Sequence, residues 1–210
     1  MKLPSLPVMK PRAAVSPKRV FYAQPSMVKV DLLPFYQLTA KDLAVTPAAV
    51  RAFAIVESDE KAFSPGGFPV VRFESHHWIK RRVDEGAKFD KMKNPRDLDA
   101  RWAMFEEMRA IDENAAIMSH SFGLFQLMGF NHQLALCADP LTFLTESMTV
   151  AGQFKLFKRF ALRSPALLAA IKRNRPDEVG FHYNGPRYKQ NKYDVKWAAA
   201  SKAGGQGVWA

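Results

Sequence analysis

Cysteine is nearly absent from this chain: Cys137 is the one cysteine in 210 residues. No intramolecular disulfide can form, so the fold must stand on packing, and synthesis in a reducing compartment is expected. Long apolar runs are missing too, and no stretch approaches the roughly 18 residues of a membrane span. The first residues, Met1-Lys2-Leu3-Pro4-Ser5-Leu6-Pro7, are basic but lack the apolar core of a secretory signal. There is no internal repeat and no low-complexity block. Acidic residues are in deficit, with 20 Asp and Glu against 31 Lys and Arg, which leaves a net charge of +11. That balance implies an anionic partner and leaves nucleic acid, anionic lipid and bacterial wall polymer all open. Nucleic-acid binding rests on charge alone, because no helix-turn-helix, ribonucleoprotein-type or zinc-finger signature accompanies it.

What is present is core material. Hydrophobic residues make up 48% of the chain and include 16 Phe, enough for one packed domain. Pro4, Pro7, Pro11, Pro17 and Pro25 predict an extended basic arm over residues 1–30. The folded domain is then residues 31–203, and residues 204–210 form a flexible tail. Within the domain, proline marks helix starts: Thr46-Pro47, Asn94-Pro95, Asp139-Pro140, Ser164-Pro165 and Arg175-Pro176. The second precedes Leu98, Trp102 and Phe105. The third predicts one helix running from Pro140 to about Phe160. The last runs toward Tyr183 and stops at Asn184-Gly185-Pro186, and a final helix covers Tyr193 to Lys202. Only residues 67–75 read as a strand, with Val71 and Phe73 on one face and Val70, Arg72 and Glu74 on the other. The predicted class is α+β, predominantly helical, with a small β element between the second and third helices.

One position breaks the helical pattern. Val50, Phe53 and Ala54 recur on one face of the helix that starts at Pro47, and the next member of that face is Glu57. A carboxyl group pushed into an apolar surrounding has its pKa raised. Glu74 shares a strand face with Arg72, and a neighbouring cation favours its ionised form. Two carboxylates in unlike surroundings are what acid-catalysed cleavage of a glycosidic bond requires, so a glycosidase is expected. Blander readings stand beside this one. Glu57 also reads as a last helical turn reaching solvent, and Glu74 as half of a surface ion pair.

Four segments, in order, carry a family likeness: Val56-Glu57-Ser58, Arg72-Phe73-Glu74-Ser75-His76-His77, Ser119 to Asn131 with Gly123-Leu124-Phe125-Gln126 inside it, and Tyr183-Asn184-Gly185-Pro186. From about Leu38 to Ala203 the chain resembles the N-acetylmuramidases found as phage endolysins and related cell-wall lytic proteins of the lysozyme-like superfamily. Two departures stand out. Ser75 replaces an arginine of the family's Glu-Arg-His, and Asp59-Glu60-Lys61-Ala62 replace small Gly-rich residues, adding charge near the site.

The resemblance implies a lysozyme-like fold and cleavage of the β-1,4 bond between N-acetylmuramic acid and N-acetylglucosamine. It makes Glu57 the general acid and Glu74 the second carboxylate, with Tyr183 close to the pair. Inversion is favoured, since a strand glutamate across a cleft leaves room for water. A lytic transglycosylase is the alternative on the same bond, but such enzymes work with one essential glutamate. In such a site Gly123 would let the backbone approach a sugar, Phe125 would offer an apolar platform, and Gln126 would hydrogen-bond an acetamido group. Asn184, with Tyr183, would form the far wall. By residue type, Gly123–Gly129 reads equally well as a buried short helix, and Tyr183–Pro186 as a helix stop.

No metal and no cofactor are expected. His76, His77 and His120 with Glu74 suggest zinc, but adjacent histidines point apart and no His-x-x-x-His or Cys pair accompanies them. The expected partner is the peptidoglycan glycan strand. Lys155, Lys158, Arg159 and Arg163 form a basic helix face suited to anionic wall polymer or lipid, and a monomer is expected. The lack of a secretory signal fits an endolysin that waits in the host cytoplasm and reaches the cell wall after release, and a secreted antibacterial effector fits nearly as well.

Overall fold

The computed structural model describes residues 30–82 and 84–203. Of the expected arm, residues 1–29 lie outside the described residues, and so does the tail at 204–210. The fold begins with two helices, α1 (Leu33–Leu43) and α2 (Pro47–Ser58). Thr46 caps α2 as expected: its Oγ1 accepts a hydrogen bond from the Ala49 amide at 3.2 Å, and Pro47 occupies the first turn. Ala49, Val50, Ala52, Phe53 and Ala54 are buried, so α2 runs through the interior and emerges only in its last turn. The Phe53 ring sits among Tyr183 at 4.6 Å, Phe157 at 5.2 Å and Trp197 at 5.6 Å. Burying a ring of that size contributes about 2–3 kcal/mol, and this cluster ties α2 to the C-terminal helices.

The sheet has three short antiparallel strands, β1 (Val71–Phe73), β2 (His120–Phe122) and β3 (Leu127–Met128), in the order β1-β2-β3. Val71 pairs with Phe122, Phe73 with His120, and Ser121 with Met128. β1 lies between α2 and α3 (Ser75–Ile79), where the sequence places it, and its partners come from the segment after Ser119. Gly123–Gly129 is therefore not a buried helix. Gly123, at φ +70°, turns the chain between β2 and β3, and Gln126, at φ +45°, completes the turn. Glu74 has left the strand: it sits just before α3, and its amide donates to the Ser119 carbonyl at 2.9 Å.

Two helix boundaries differ from expectation. Asn94-Pro95 does not open a helix; α4 (Leu98–Ile111) is capped by Asp97, whose carboxylate accepts the Ala100 amide at 2.7 Å. Asn94 instead brackets Phe73, accepting from its N–H at 2.7 Å and donating to its carbonyl at 2.9 Å, which fastens the end of β1. After α5 (Glu113–Met118), the single helix expected from Pro140 to Phe160 is two, α6 (Pro140–Ser147) and α7 (Val150–Leu162). Thr149 starts a new cap, accepting the Gly152 amide at 3.0 Å. The corner closes so tightly that a Cβ on Gly152 would lie 1.8 Å from the Glu146 carbonyl oxygen. Three helices complete the domain: α8 (Pro165–Lys172), α9 (Pro176–Asn184) and α10 (Tyr193–Ala203). α10 packs along α2, and the whole is a predominantly helical lysozyme-like fold with a small sheet.

Candidate active site

Glu57 is the last-turn residue that carries α2 from the core to the surface. It keeps a window to solvent, yet protein surrounds it closely enough that burial raises its pKa to about 7, opposed by a Tyr193 hydrogen bond and the Arg72 charge. The Tyr193 hydroxyl donates to Glu57 Oε1 at 2.7 Å. Tyr193 opens α10 and is itself buried, so the carboxyl group is fixed from behind by a rigid element.

Glu74 comes from the sheet side, just before α3. Its carboxylate is 3.4 Å from Arg72 Nε and 3.9 Å from His76 Nδ1. Both glutamates line one open groove of about 1090 Å³. Arg72 lines the same groove and acts electrostatically on both acids. His77 and Phe130 continue the sheet-side wall with their rings 4.6 Å apart. Burial, reinforced by the neighbouring His76, pushes His77 down to about 4, so its ring is neutral at working pH.

Of the other residues singled out in the sequence, Tyr183, Asn184 and Gln126 line the groove, whereas Gly123 and Phe125 stand behind it. Tyr183 donates to the Phe125 carbonyl at 2.6 Å and packs its ring on Phe53. Burial, then the Glu57 charge, raise its pKa well above the ordinary tyrosine value. Asn184 is exposed at the end of α9.

Phe125 is only 1% exposed and stacks on Phe157 at 4.2 Å, so it is a core residue rather than a sugar platform. Gly123 faces α7 rather than a ligand: a Cβ there would lie 2.3 Å from Gln153 Cδ. The Gln126 amide is already occupied. It accepts from Ser121 Oγ at 2.8 Å and donates to the carbonyls of Gly123 at 2.9 Å and Val70 at 3.0 Å, which holds the hairpin against β1.

Sequence reasoning missed Tyr193 because its contact with Glu57 spans 136 residues and no local pattern marks it. It also missed Gln153, which accepts the Leu124 amide at 2.8 Å and donates to the Ser147 carbonyl at 2.9 Å, locking the hairpin onto α7. The extra charge expected in the loop after Ser58 does not reach the groove. Arg51 and Tyr36 take up the Glu60 carboxylate at 2.8–3.0 Å. His120 is fully buried between Phe73 and Phe105, donates from Nδ1 to the Ala116 carbonyl at 2.8 Å, and is pushed down to about 4 by that burial. It is a core histidine. Among the described residues no group of three His, Cys, Asp or Glu side chains is placed to hold a metal ion.

The family model described as "Muramidase: N-acetylmuramidase" matches residues 46–203. The chain belongs to the N-acetylmuramidase family. It is also similar to the crystal structure of the Burkholderia AP3 phage endolysin, with a TM-score of 0.68 and 29% sequence identity over 81% of this chain and 68% of that one. A search of curated proteins found no match. The muramidase is thus a glycoside hydrolase acting on the bond between N-acetylmuramic acid and N-acetylglucosamine in peptidoglycan. No helix among its described residues is long and apolar enough to cross a membrane.

Proposed function

We propose that Glu57 is the general acid of this muramidase and Glu74 the second carboxylate, and that the reaction inverts the anomeric centre. The proton on Glu57 passes to the glycosidic oxygen as the bond from that oxygen to C1 of muramic acid breaks. Glu74 takes a proton from a water molecule as its oxygen bonds to C1 on the opposite face. Solvent then returns the proton to Glu57 and removes the one from Glu74. Tyr193 and Arg72 keep the Glu57 pKa from rising beyond a useful value, while burial keeps it above the ordinary carboxyl range. Tyr183, beside the acid, and Asn184, at the groove wall, would contact the sugar.

The observation that carries this reading is a single groove lined by two glutamates, one sheltered and one beside an arginine. The Glu57→Gln variant should fail to clear a purified peptidoglycan suspension while keeping its fold, and near wild-type clearing would remove the assignment. Inversion is read from fresh product by proton NMR: the new reducing end should be the α anomer, and a β anomer would mean retention. A lytic transglycosylase would leave muropeptides one water lighter, which mass spectrometry distinguishes.

In the cell the proposed role is bacteriolytic, of the endolysin kind, by a monomer that waits in the host cytoplasm until it reaches the wall. Attraction to anionic wall polymer or lipid through the α7 face is reduced by ion pairs. Lys155 and Arg159 pair with Glu146 at 2.9 and 3.2 Å, and Lys158 with Asp42 at 2.7 Å. Arg163 and the groove rim are the better-placed cations.

A further inference from the structure

The groove does not end at Glu57. Beyond it lies a side pocket of about 210 Å³, lined by Glu57 and Arg72 together with Asn184, Asn191, Tyr193 and Lys196. Glu57, Arg72, Asn184 and Asn191 line both spaces, so a glycan crossing the acid has this pocket immediately beside the scissile bond. Its chemistry is one-sided. Two cations and two side-chain amides face a single acid, and that acid is the one that carries a proton up to about pH 7.

Tyr193 and Lys196 stand three residues apart on α10, a spacing that puts both on one face of the helix. Tyr193 is committed to Glu57, whereas the exposed Lys196 ammonium makes no ion pair or side-chain hydrogen bond among the described residues. Arg72 is already shared with Glu74, which leaves Lys196 as the uncommitted cation of the pocket.

We propose that this side pocket seats a carboxylate carried by the substrate next to the scissile bond, and that Lys196, assisted by the Asn191 amide, recognises it. Uncharged glycan of the same backbone would leave Lys196 unmatched, so the pocket makes the muramidase selective for acidic strands. The inference rests on the groove being the muramidase site proposed above. Two sources offer the group: the lactyl carboxylate of muramic acid, once it is free of peptide, and the carboxylates of an attached stem peptide.

The test compares wild type, Lys196→Ala and Lys196→Arg by reducing-end release from one preparation of glycan in three states: carrying stem peptides, stripped of them, and stripped then amidated. Lys196→Ala should lower kcat/KM roughly tenfold on a carboxylate-bearing state, the scale of one charge-assisted hydrogen bond. It should leave the rate on the amidated strand unchanged, and Lys196→Arg should restore most of the loss. The state that suffers the loss, peptide-bearing or stripped, names the source. Equal losses on charged and amidated strands, or no loss on any, would overturn the proposal. A wild-type protein that released no reducing ends from any state would count instead against the proposed hydrolysis. Since Lys196 is exposed on a helix, loss of folding is not expected from either variant.

Discussion

The wall that carries Glu57 and the wall that carries Glu74 are built from different materials. Behind Glu57 stand an almost wholly buried helix, the Phe53–Tyr183–Trp197 cluster and the rigid start of α10. Behind Glu74 stand a three-residue strand, the exposed Arg72 and a pair of histidines. The same functional group is thus given opposite surroundings. An apolar wall makes ionisation of Glu57 costly, whereas the other wall sets the Arg72 guanidinium beside the Glu74 carboxylate. On the proposed assignment, the acid and the base of the site are distinguished by their scaffolds rather than by their side chains.

The largest test of that contrast is to remove each acid in turn. Glu57→Gln should lower kcat by about 10³–10⁴-fold, toward the upper end of what a general acid contributes. A loss of less than tenfold, measured by reducing-end release, would mean that the sheltered carboxyl is not the proton donor. The same variant should gain stability at alkaline pH. Glu57 has a folded pKa of about 7 against an ordinary 4.5, so its ionisation costs the folded state nothing below pH 4.5 and about 3 kcal/mol above pH 7. Urea titrations at pH 4 and pH 8 should therefore show wild type and Glu57→Gln alike at the lower pH and separated at the higher.

Next in size is the apolar wall itself. Phe125→Ala should destabilise the protein by about 3–5 kcal/mol, as expected for truncating a buried ring. Phe125→Leu should leave KM within about twofold if the ring is only packing. A KM raised tenfold in Phe125→Leu would return Phe125 to the sugar-binding surface.

Glu74→Gln should lower kcat by about 10²-fold, and added azide should rescue part of that loss if Glu74 acts on water. A smaller effect is expected from Tyr193→Phe. Its hydroxyl stabilises the ionised Glu57, so removing it should move the alkaline limb of the pH–rate profile upward by up to about one unit. A downward move would reverse the assigned role of that hydrogen bond.

The two walls also differ in how far the sequence reveals them. The helical wall was legible because its information is local. Thr46-Pro47 set the start of α2, and the spacing of Val50, Phe53 and Ala54 pointed Glu57 inward. The sheet wall was legible only at Val71 and Phe73. Its partner strands are three and two residues long, too short for any periodicity, and they depend on Gly123 and Gln126 adopting positive φ.

Residue type misled at Phe125 and Gln126. An aromatic and an amide suit a sugar, but burial against α7 claims Phe125, and hydrogen bonds with Ser121, Gly123 and Val70 claim Gln126 first. The break between α6 and α7 was hidden because the apolar spacing through Leu144, Met148, Ala151 and Phe154 continues across it. Thr149 followed by Gly152 was the available sign. Tyr193 and Lys196 could be placed beside the site only once α10 was packed against α2.

The most direct measurement is the titration of Glu57 itself, followed by carbon-13 NMR of side-chain-labelled glutamate with the Glu57→Gln variant to assign the signal. A midpoint near 7 is expected, falling together with the alkaline limb of activity. A midpoint near 4.5 would contradict the sheltered-acid reading of the groove, because a carboxyl already ionised at neutral pH has no proton to give.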